Sequence, residues 1–165
     1  MEKNKYHLRP LQEKDAERML EWLRDENVTK YLQIDGTNST IEDTLRFIAD
    51  AKDESKNLHR AIVGDDDVYL GTISLKNIDH EKKEAEYAIA MHPSGMRIGA
   101  AKEASNMITQ LASEQLGMFR VYLNVKRNNH RAVRLYDRLG YIYTHTSILD
   151  VQNSKTELLW YETKL

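Results

Sequence analysis

Two polar corners of this chain carry residue types that hold and turn over a ligand. The first is Met96-Arg97-Ile98-Gly99-Ala100-Ala101, a turn that leads from a strand pattern into a helix pattern. At the start of a helix several backbone N–H groups have no intrahelical partner and the helix dipole is positive, so an anion is expected there. Gly99 and Ala101 let a diphosphate approach the backbone closely, and Arg97 adds a charge-assisted contact. A lone glycine before a helix is also the mark of an ordinary turn, so this corner needs the support of a second. That second corner lies in FRVYLNVKRNNHRAVRLYDRLGY, Phe119 to Tyr141, where a strand breaks at Asn128 and Asn129 and resumes as a short helix. Chemistry is expected at this break.

The elements that position these corners follow from hydrophobic period. Phe119, Val121, Leu123 and Val125 alternate with Arg120, Tyr122 and Asn124, the pattern of a half-buried strand. Asn128 or Asn129 caps a helix whose Ala132, Val133, Leu135 and Tyr136 form one stripe, and Gly140 stops it. Upstream, Tyr6 to Leu11 suggests a strand, and Ala16, Met19, Leu20 and Leu23 recur at helical spacing. Ile41, Leu45, Ile48 and Ala49 mark a further helix. Leu58–Val63 and Val68–Leu75 read as a hairpin across GDDD, and Ala85–Met91 as a strand that Pro93 ends. Met96 to Ala101 opens a helix lined by Ala101, Ala104, Ser105, Ile108, Leu111 and Ala112. Tyr141–Leu149 and Lys155–Thr163 form two last strands around DVQNS. The expected fold class is therefore α/β or α+β, with helices covering a mostly antiparallel sheet.

Composition narrows the chemistry. A chain of 165 residues is expected to form one domain spanning 1–165, and 41% hydrophobic with 30% charged residues is the balance of a soluble protein. No apolar run approaches the ~18 residues of a membrane span. MEKNKYHLRPL lacks the apolar core of a signal peptide, so a cytoplasmic location is expected. With no cysteine, catalysis falls to His, Asp, Glu, Ser, Tyr, Lys or backbone groups, and neither a disulfide nor a thiolate metal site is expected. Glu13 to Glu54 carries 12 acids against 6 bases, whereas Gly95 to Gly140 carries 8 bases against 3 acids. Such a division suits a cationic ligand beside a phosphate-bearing one, and equally two solvated faces of opposite sign.

Taken together, the two corners resemble the signatures of the GNAT superfamily of acyl-CoA-dependent N-acetyltransferases, and the order of elements is similar over essentially the whole chain. The pyrophosphate signature, Gln or Arg, two residues, Gly, one residue, Gly or Ala, falls on Met96 to Ala101; Gly99 and Ala101 match, and Met96 departs from it. The second signature, Asn, two residues, Ala, two residues, Leu-Tyr, three residues, Gly-aromatic, is matched by Asn129, Ala132, Leu135, Tyr136, Gly140 and Tyr141. The resemblance implies a sheet of about seven strands in which a splayed strand pair forms the cofactor cleft. It implies acetyl-CoA as cofactor, no metal, and direct attack by an amine.

The resemblance also assigns roles. Ile89, Ala90 and Met91 would pair with the pantetheine arm, the N–H groups from Arg97 to Ala101, with Ile98, Gly99 and Ala100, would hold the pyrophosphate, and Asn129, with Ala132 beside it, would bind pantetheine. Tyr136, with an ordinary pKa of ~10, stays protonated and would donate to the departing sulfur. A backbone N–H near Met91 would stabilise the oxyanion. Glu86 is the first candidate for a base, acting through water, with Glu84 and His92 as alternatives. A solvated Glu86 paired with Lys82 or Lys83 is the structural reading of the same residue.

The acceptor side is the least uniform part of such folds. EWLRDENVTKYL resembles the branch containing ribosomal-protein N-terminal, amino-sugar and polyamine acetyltransferases, and Trp22 and Tyr31, with Glu86, are candidates to line the acceptor pocket. The expected partners are acetyl-CoA, a primary amine of a small molecule or peptide N-terminus, and a second copy in a homodimer, with no nucleic acid and no membrane. A non-catalytic acyl-CoA sensor or interaction module is the alternative. A nucleic-acid role for Lys126 to Arg138 lacks the aromatic platform it needs.

Overall fold

The structure is a computed structural model that describes residues 5–165, so the first four residues of the charged N-terminal stretch lie outside it. In chain order the strands are β1 His7–Arg9, β2 Leu58–Val63, β3 Tyr69–Asp79, β4 Glu84–Met91, β5 Arg120–Lys126, β6 Ile142–Val151 and β7 Ser154–Lys164. The helices are α1 Ala16–Leu23, α2 Glu26–Thr29, α3 Ile41–Asp50, α4 Ala100–Glu114 and α5 His130–Arg138. The seven strands form one sheet in the order β1-β2-β3-β4-β5-β7-β6, antiparallel throughout except for the parallel neighbours β4 and β5.

Strand alternation divides the core between the two faces. Ile62, Ile73, Leu75, Ala85, Tyr87, Val121 and Leu123 point to the side where α4 and α5 lie, and pack there against Ala104, Ile108 and Tyr136. Ala61, Val63 and Tyr69 point the other way, against Met19 and Trp22 of α1 and Ile48 of α3. Small side chains let α4 lie close to the sheet: Ala100, Ala104 and Ala112 are fully buried.

Helix ends are set by local chemistry. Thr40 and Asp43 form a reciprocal capping box at the start of α3, with Asp43 N–H donating to the Thr40 hydroxyl at 3.2 Å and Thr40 N–H donating to the Asp43 carboxylate at 2.9 Å. Asn129 caps α5 by accepting from Ala132 N–H at 3.3 Å, and Gly140 follows it with φ +84°. The helix expected to open at Met96 begins instead at Ala100, because Arg97 and Gly99 both take left-handed backbone angles, φ +63° and +83°. Strand β3 runs on past Leu75 to Asp79, through a bulge at Asn77, φ +51°, that the polar sequence KN did not announce.

One departure from regular pairing matters most. β4 and β5 run side by side only at Glu84/Arg120, Ala85/Val121 and Glu86/Tyr122. Beyond that, β4 stays on β3 as far as Met91, while β5 stays on β7 as far as Lys126. The two strands therefore part, leaving facing backbone edges whose N–H and C=O groups need partners from outside the sheet.

Candidate active site

The parting of β4 and β5 opens a cavity of about 700 Å³ that reaches both faces of the sheet. On the α1/α3 side its floor is polar, with Ser74 and Lys76 of β3, Glu86 of β4 and Asn124 of β5, and its cover includes Trp22, Phe47 and the segment Tyr31–Ile34. On the α5 side it is lined by Tyr87, Ile89, Asn129, Ala132 and Tyr136. Residues proposed for the two ends of one proton path, Glu86 and Tyr136, thus border a single space.

Tyr136 is 5% exposed and sits in a cluster of rings, edge-on to Tyr87 with centroids 5.7 Å apart and tilted against Tyr141 at 5.9 Å. Burial, reinforced by the neighbouring Tyr141, pushes its phenol well above the ordinary tyrosine range. The hydroxyl therefore holds its proton at every pH at which the fold is expected to work, the state a proton donor needs. Tyr87 is shifted the same way, by burial first, and shares its hydroxyl with Ser105 at 2.6 Å.

Glu86 is held on both oxygens. Oε1 accepts from the Asn124 side-chain amide at 3.1 Å, Oε2 accepts from that of Asn77 at 3.0 Å, and Lys76 Nζ lies 4.0 Å from Oε2. The partner expected for a merely solvated Glu86, Lys82 or Lys83, is not among these. Of the alternative bases, Glu84 is paired with Arg120 at 2.9 Å. His92 is buried at the end of β4, where Nε2 meets Glu21 at 2.6 Å and Nδ1 accepts from Ser94 N–H at 3.0 Å. Neither Glu84 nor His92 lines the cavity.

The turn Met96–Ala101, none of whose residues lines the cavity, leads into α4. A Cβ placed on Gly99 would meet no atom within 4 Å, so the space above the backbone is open, and the first N–H groups of α4 lie beside it without intrahelical partners. The Tyr6 hydroxyl donates to the Ile98 carbonyl at 3.1 Å and ties the turn to the N-terminal segment. Arg131 of α5 brings Nη1 within 3.5 Å of Met96 Sδ, which places a guanidinium beside the position where the signature's polar side chain is missing. The chemistry of these groups, an open strand edge, a helix N-terminus and the guanidinium groups of Arg97 and Arg131, suits a phosphate-bearing ligand with an extended arm. Met91 lies off the cavity, with its sulfur and methyl packed near Gly71 and Gly95. Among the described residues no group of three or more His, Asp or Glu side chains could hold a metal ion.

The sequence did not single out three residues of the polar floor, Asn124, Ser74 and His59, nor Asn77, which meets Glu86 from outside the cavity lining. His59 of β2 lines the cavity beneath Phe47, rings 4.8 Å apart, with Nδ1 2.6 Å from the Ser74 hydroxyl. Burial, with Lys76 and Arg60 nearby, pushes its pKa down, so the ring is neutral at pH 7. The alternation His59-Ala61-Val63 on one face was the one signal that could have turned it toward the site.

Comparison with known proteins bears on the family and the fold. The Acetyltransferase (GNAT) domain family matches residues 5–142. The spermidine N(1)-acetyltransferase of Escherichia coli K12 is 25% identical over 134 residues, 81% of this chain and 71% of that protein. The uncharacterized N-acetyltransferase p20 of Bacillus licheniformis is 26% identical over 137 residues, 81% of this chain and 77% of that protein. Among solved structures, the spermidine N-acetyltransferase of Vibrio cholerae in complex with CoA and spermine superposes with a TM-score of 0.88 at 16% identity, covering 98% of this chain and 96% of that one. At that identity the superposition speaks for the fold alone.

Proposed function

This chain belongs to the GNAT acetyltransferases, and from that premise we propose that it transfers the acetyl group of acetyl-CoA to a primary amine of a small molecule or of a peptide N-terminus. The observation that carries the reading is the single cavity through the β4/β5 gap, with Glu86 on one side of the sheet and Tyr136 on the other. A non-catalytic sensor has no need of a proton acceptor and a proton donor facing one space.

Acetyl-CoA supplies the activated thioester. The chain's residues do the rest. The first turn of α4, with Arg97, holds the phosphates, and the free edge of β4 from Ile89 to Met91 aligns the arm by backbone hydrogen bonds. The Asn129 carbonyl oxygen is engaged by its helix cap, which leaves the side-chain amide N–H groups for the same arm. Glu86 takes a proton from the incoming ammonium, directly or through one water, so that a neutral amine can attack. Tyr136 keeps a proton at its hydroxyl and gives it up where the sulfur leaves.

The acceptor enters over the floor between α3 and Tyr31–Ile34. Polyamines are the first class to test, since the Escherichia coli relative is named for spermidine and Glu86 and Asp43 both line the cavity. Lys76 and Lys126 line it too, so the charge there is balanced and amines bearing a carboxylate or hydroxyls belong in the same panel. A homodimer belongs to this reading as well: β6 is the last strand of the sheet and exposes Ile142, Ile148 and Val151, features of an edge that a second copy covers. The deciding experiment is thiol release from acetyl-CoA across polyamines, amino sugars, aminoglycosides and peptides. Turnover with at least one amine supports the reading, and tight acetyl-CoA binding with turnover on none overturns it in favour of the sensor.

A further inference from the structure

The floor of the cavity contains a continuous line of side-chain amides that ends on the proposed base. Gln33, in the segment covering the acceptor side, donates Nε2–H to Asn124 Oδ1 at 2.9 Å across 91 residues of sequence. Glu86 can only accept, so Asn124 turns its nitrogen to the carboxylate, where Nδ2 donates to Oε1 at 3.1 Å, and its oxygen to Gln33. Lys126, two residues along the same strand, donates Nζ to the Lys30 carbonyl at 3.0 Å, so β5 holds the covering segment at two points. On the far side of Glu86, the bulge in β3 turns Asn77 into the left-handed region and aims its amide at Oε2. β4 and β5 pair for the last time at Glu86/Tyr122, so Asn124, two residues further along β5, reaches Glu86 by its side chain alone.

We infer that Asn124 is a positioning residue that couples the acceptor-covering segment to Glu86, so that docking of Gln33 sets the orientation of the carboxylate that receives the amine's proton. The inference rests on the reading of Glu86 as the base. Its physical content is that an ionised Glu86 can only accept, so Asn124 must present its nitrogen there, while the Gln33 contact anchors the other end of the same amide and so holds the Asn124 side chain in place. With the segment displaced, the Asn124 side chain loses its second anchor and can swing off Oε1. Seating of the acceptor beneath Tyr31–Ile34 and correct aim of the base then become one event. The charged and titratable groups around Glu86 are Lys76 from β3, His59 from β2, Tyr122 and Arg120 from β5, Glu84 on its own strand, Asp43 from α3 and Lys126 at the cavity wall.

Gln33→Ala, Asn124→Leu, their double variant and the isosteric Asn124→Asp test this. The readouts are the pH dependence of kcat/KM for the amine and, without any substrate, the titration of the Glu86 side-chain carboxyl followed by carbon NMR. Losing the amide donor disfavours the charged carboxylate, so the acid limb and the Glu86 titration are expected to move to higher pH in Asn124→Leu, less in Gln33→Ala and furthest in Asn124→Asp, which sets a second carboxylate against Oε1. kcat is expected to fall on the order of tenfold in Asn124→Leu, the worth of one hydrogen bond to a charged group. Adding Gln33→Ala to Asn124→Leu is expected to cost nothing more, since both break one chain. A Glu86 titration that neither Gln33→Ala nor Asn124→Asp moves overturns the inference, as do losses in the two single variants that simply multiply. If the wild type acetylates no amine, the proposed function fails, while the Glu86 titration still decides the coupling.

Discussion

Glu86 and Tyr122 are the last pair at which β4 and β5 lie side by side. Past them, β4 follows β3 and β5 follows β7, and the sheet opens like a seam. A parallel pair in the middle of a sheet would ordinarily keep its ladder, because unpaired strand edges in a protein interior are costly. Here the edges stay unpaired, and the side chains placed where the seam begins, Glu86 with Asn124, are polar ones that line the cavity on the α1/α3 side. The same opening lets Tyr136, on the opposite side of the sheet, share a cavity with Glu86.

From that geometry Tyr136→Phe removes a proton donor and little else, since the ring keeps its contacts with Tyr87 and Tyr141. Turnover is expected to drop by about 10²-fold or more, the usual worth of a general acid, with acetyl-CoA affinity measured by calorimetry nearly unchanged. Because burial raises the Tyr136 pKa, its own ionisation cannot produce a loss of activity between pH 7 and 9. A basic limb in that range that vanishes in Tyr136→Phe would contradict this.

The phosphate cradle makes the complementary prediction. Gly99→Ala adds a methyl group that touches no protein atom, at a residue with φ +83°, so it strains the backbone by roughly 1–2 kcal/mol and projects into the open space proposed for phosphates. Arg131→Ala removes the guanidinium beside Met96. Both are expected to raise KM for acetyl-CoA severalfold and to leave KM for the amine in place. Steady-state kinetics with each substrate varied in turn separates the two, and the Arg131 effect should shrink with added salt.

Much of this site could be read from the chain because its parts are local. Ala132 and Tyr136 sit on one helix that Asn129 caps and Gly140 follows, and Gly99 lies with Ala101 in one turn, so residue type and spacing reveal their local structure. Asn77, Asn124 and Gln33 were invisible for the opposite reason. Asn77 meets Glu86 only because a bulge turns it, and Gln33 meets Asn124 only because β5 takes its place beside β4 with α2 and the segment after it lying over that face. Likewise the extension of β3 to Asp79 depends on Asn77 N–H donating to the Asn57 side chain and Ile78 N–H donating to the Lys56 carbonyl, contacts between segments about 20 residues apart. Hydrophobic period places strands and helices, but it carries no information on where long polar side chains meet.

The covering segment offers a test that spares the cofactor side. Gly36 is buried where a Cβ would overlap the Leu23 carbonyl at the end of α1, and backbone cannot yield as a flexible side-chain tip can. Gly36→Ala is therefore expected to push Tyr31–Ile34 away from α1, raising KM for the amine at least severalfold, with KM for acetyl-CoA unchanged. Equal changes in both constants would show that the segment supports the whole fold and not the acceptor wall.

His59 links the cavity floor to stability in acid. Its folded-state pKa lies below the ordinary value, chiefly because burial disfavours the imidazolium, with Lys76 and Arg60 adding repulsion. The neutral ring is thus the form the fold prefers, while the unfolded chain takes up a proton at about pH 6.5. Stability from this residue is complete above that pH and is lost as pH falls from there through the depressed folded value. His59→Gln keeps an acceptor for the Ser74 hydroxyl, which lies 2.6 Å from Nδ1, and removes the titration. The fall in Tm between pH 7.5 and pH 5 is expected to be shallower in His59→Gln than in the wild type, whatever the absolute Tm of the variant at pH 7.5. Parallel curves would mean that the His59 ring gains a proton as readily in the cavity as in water, which its packing beneath Phe47 and between two cations argues against.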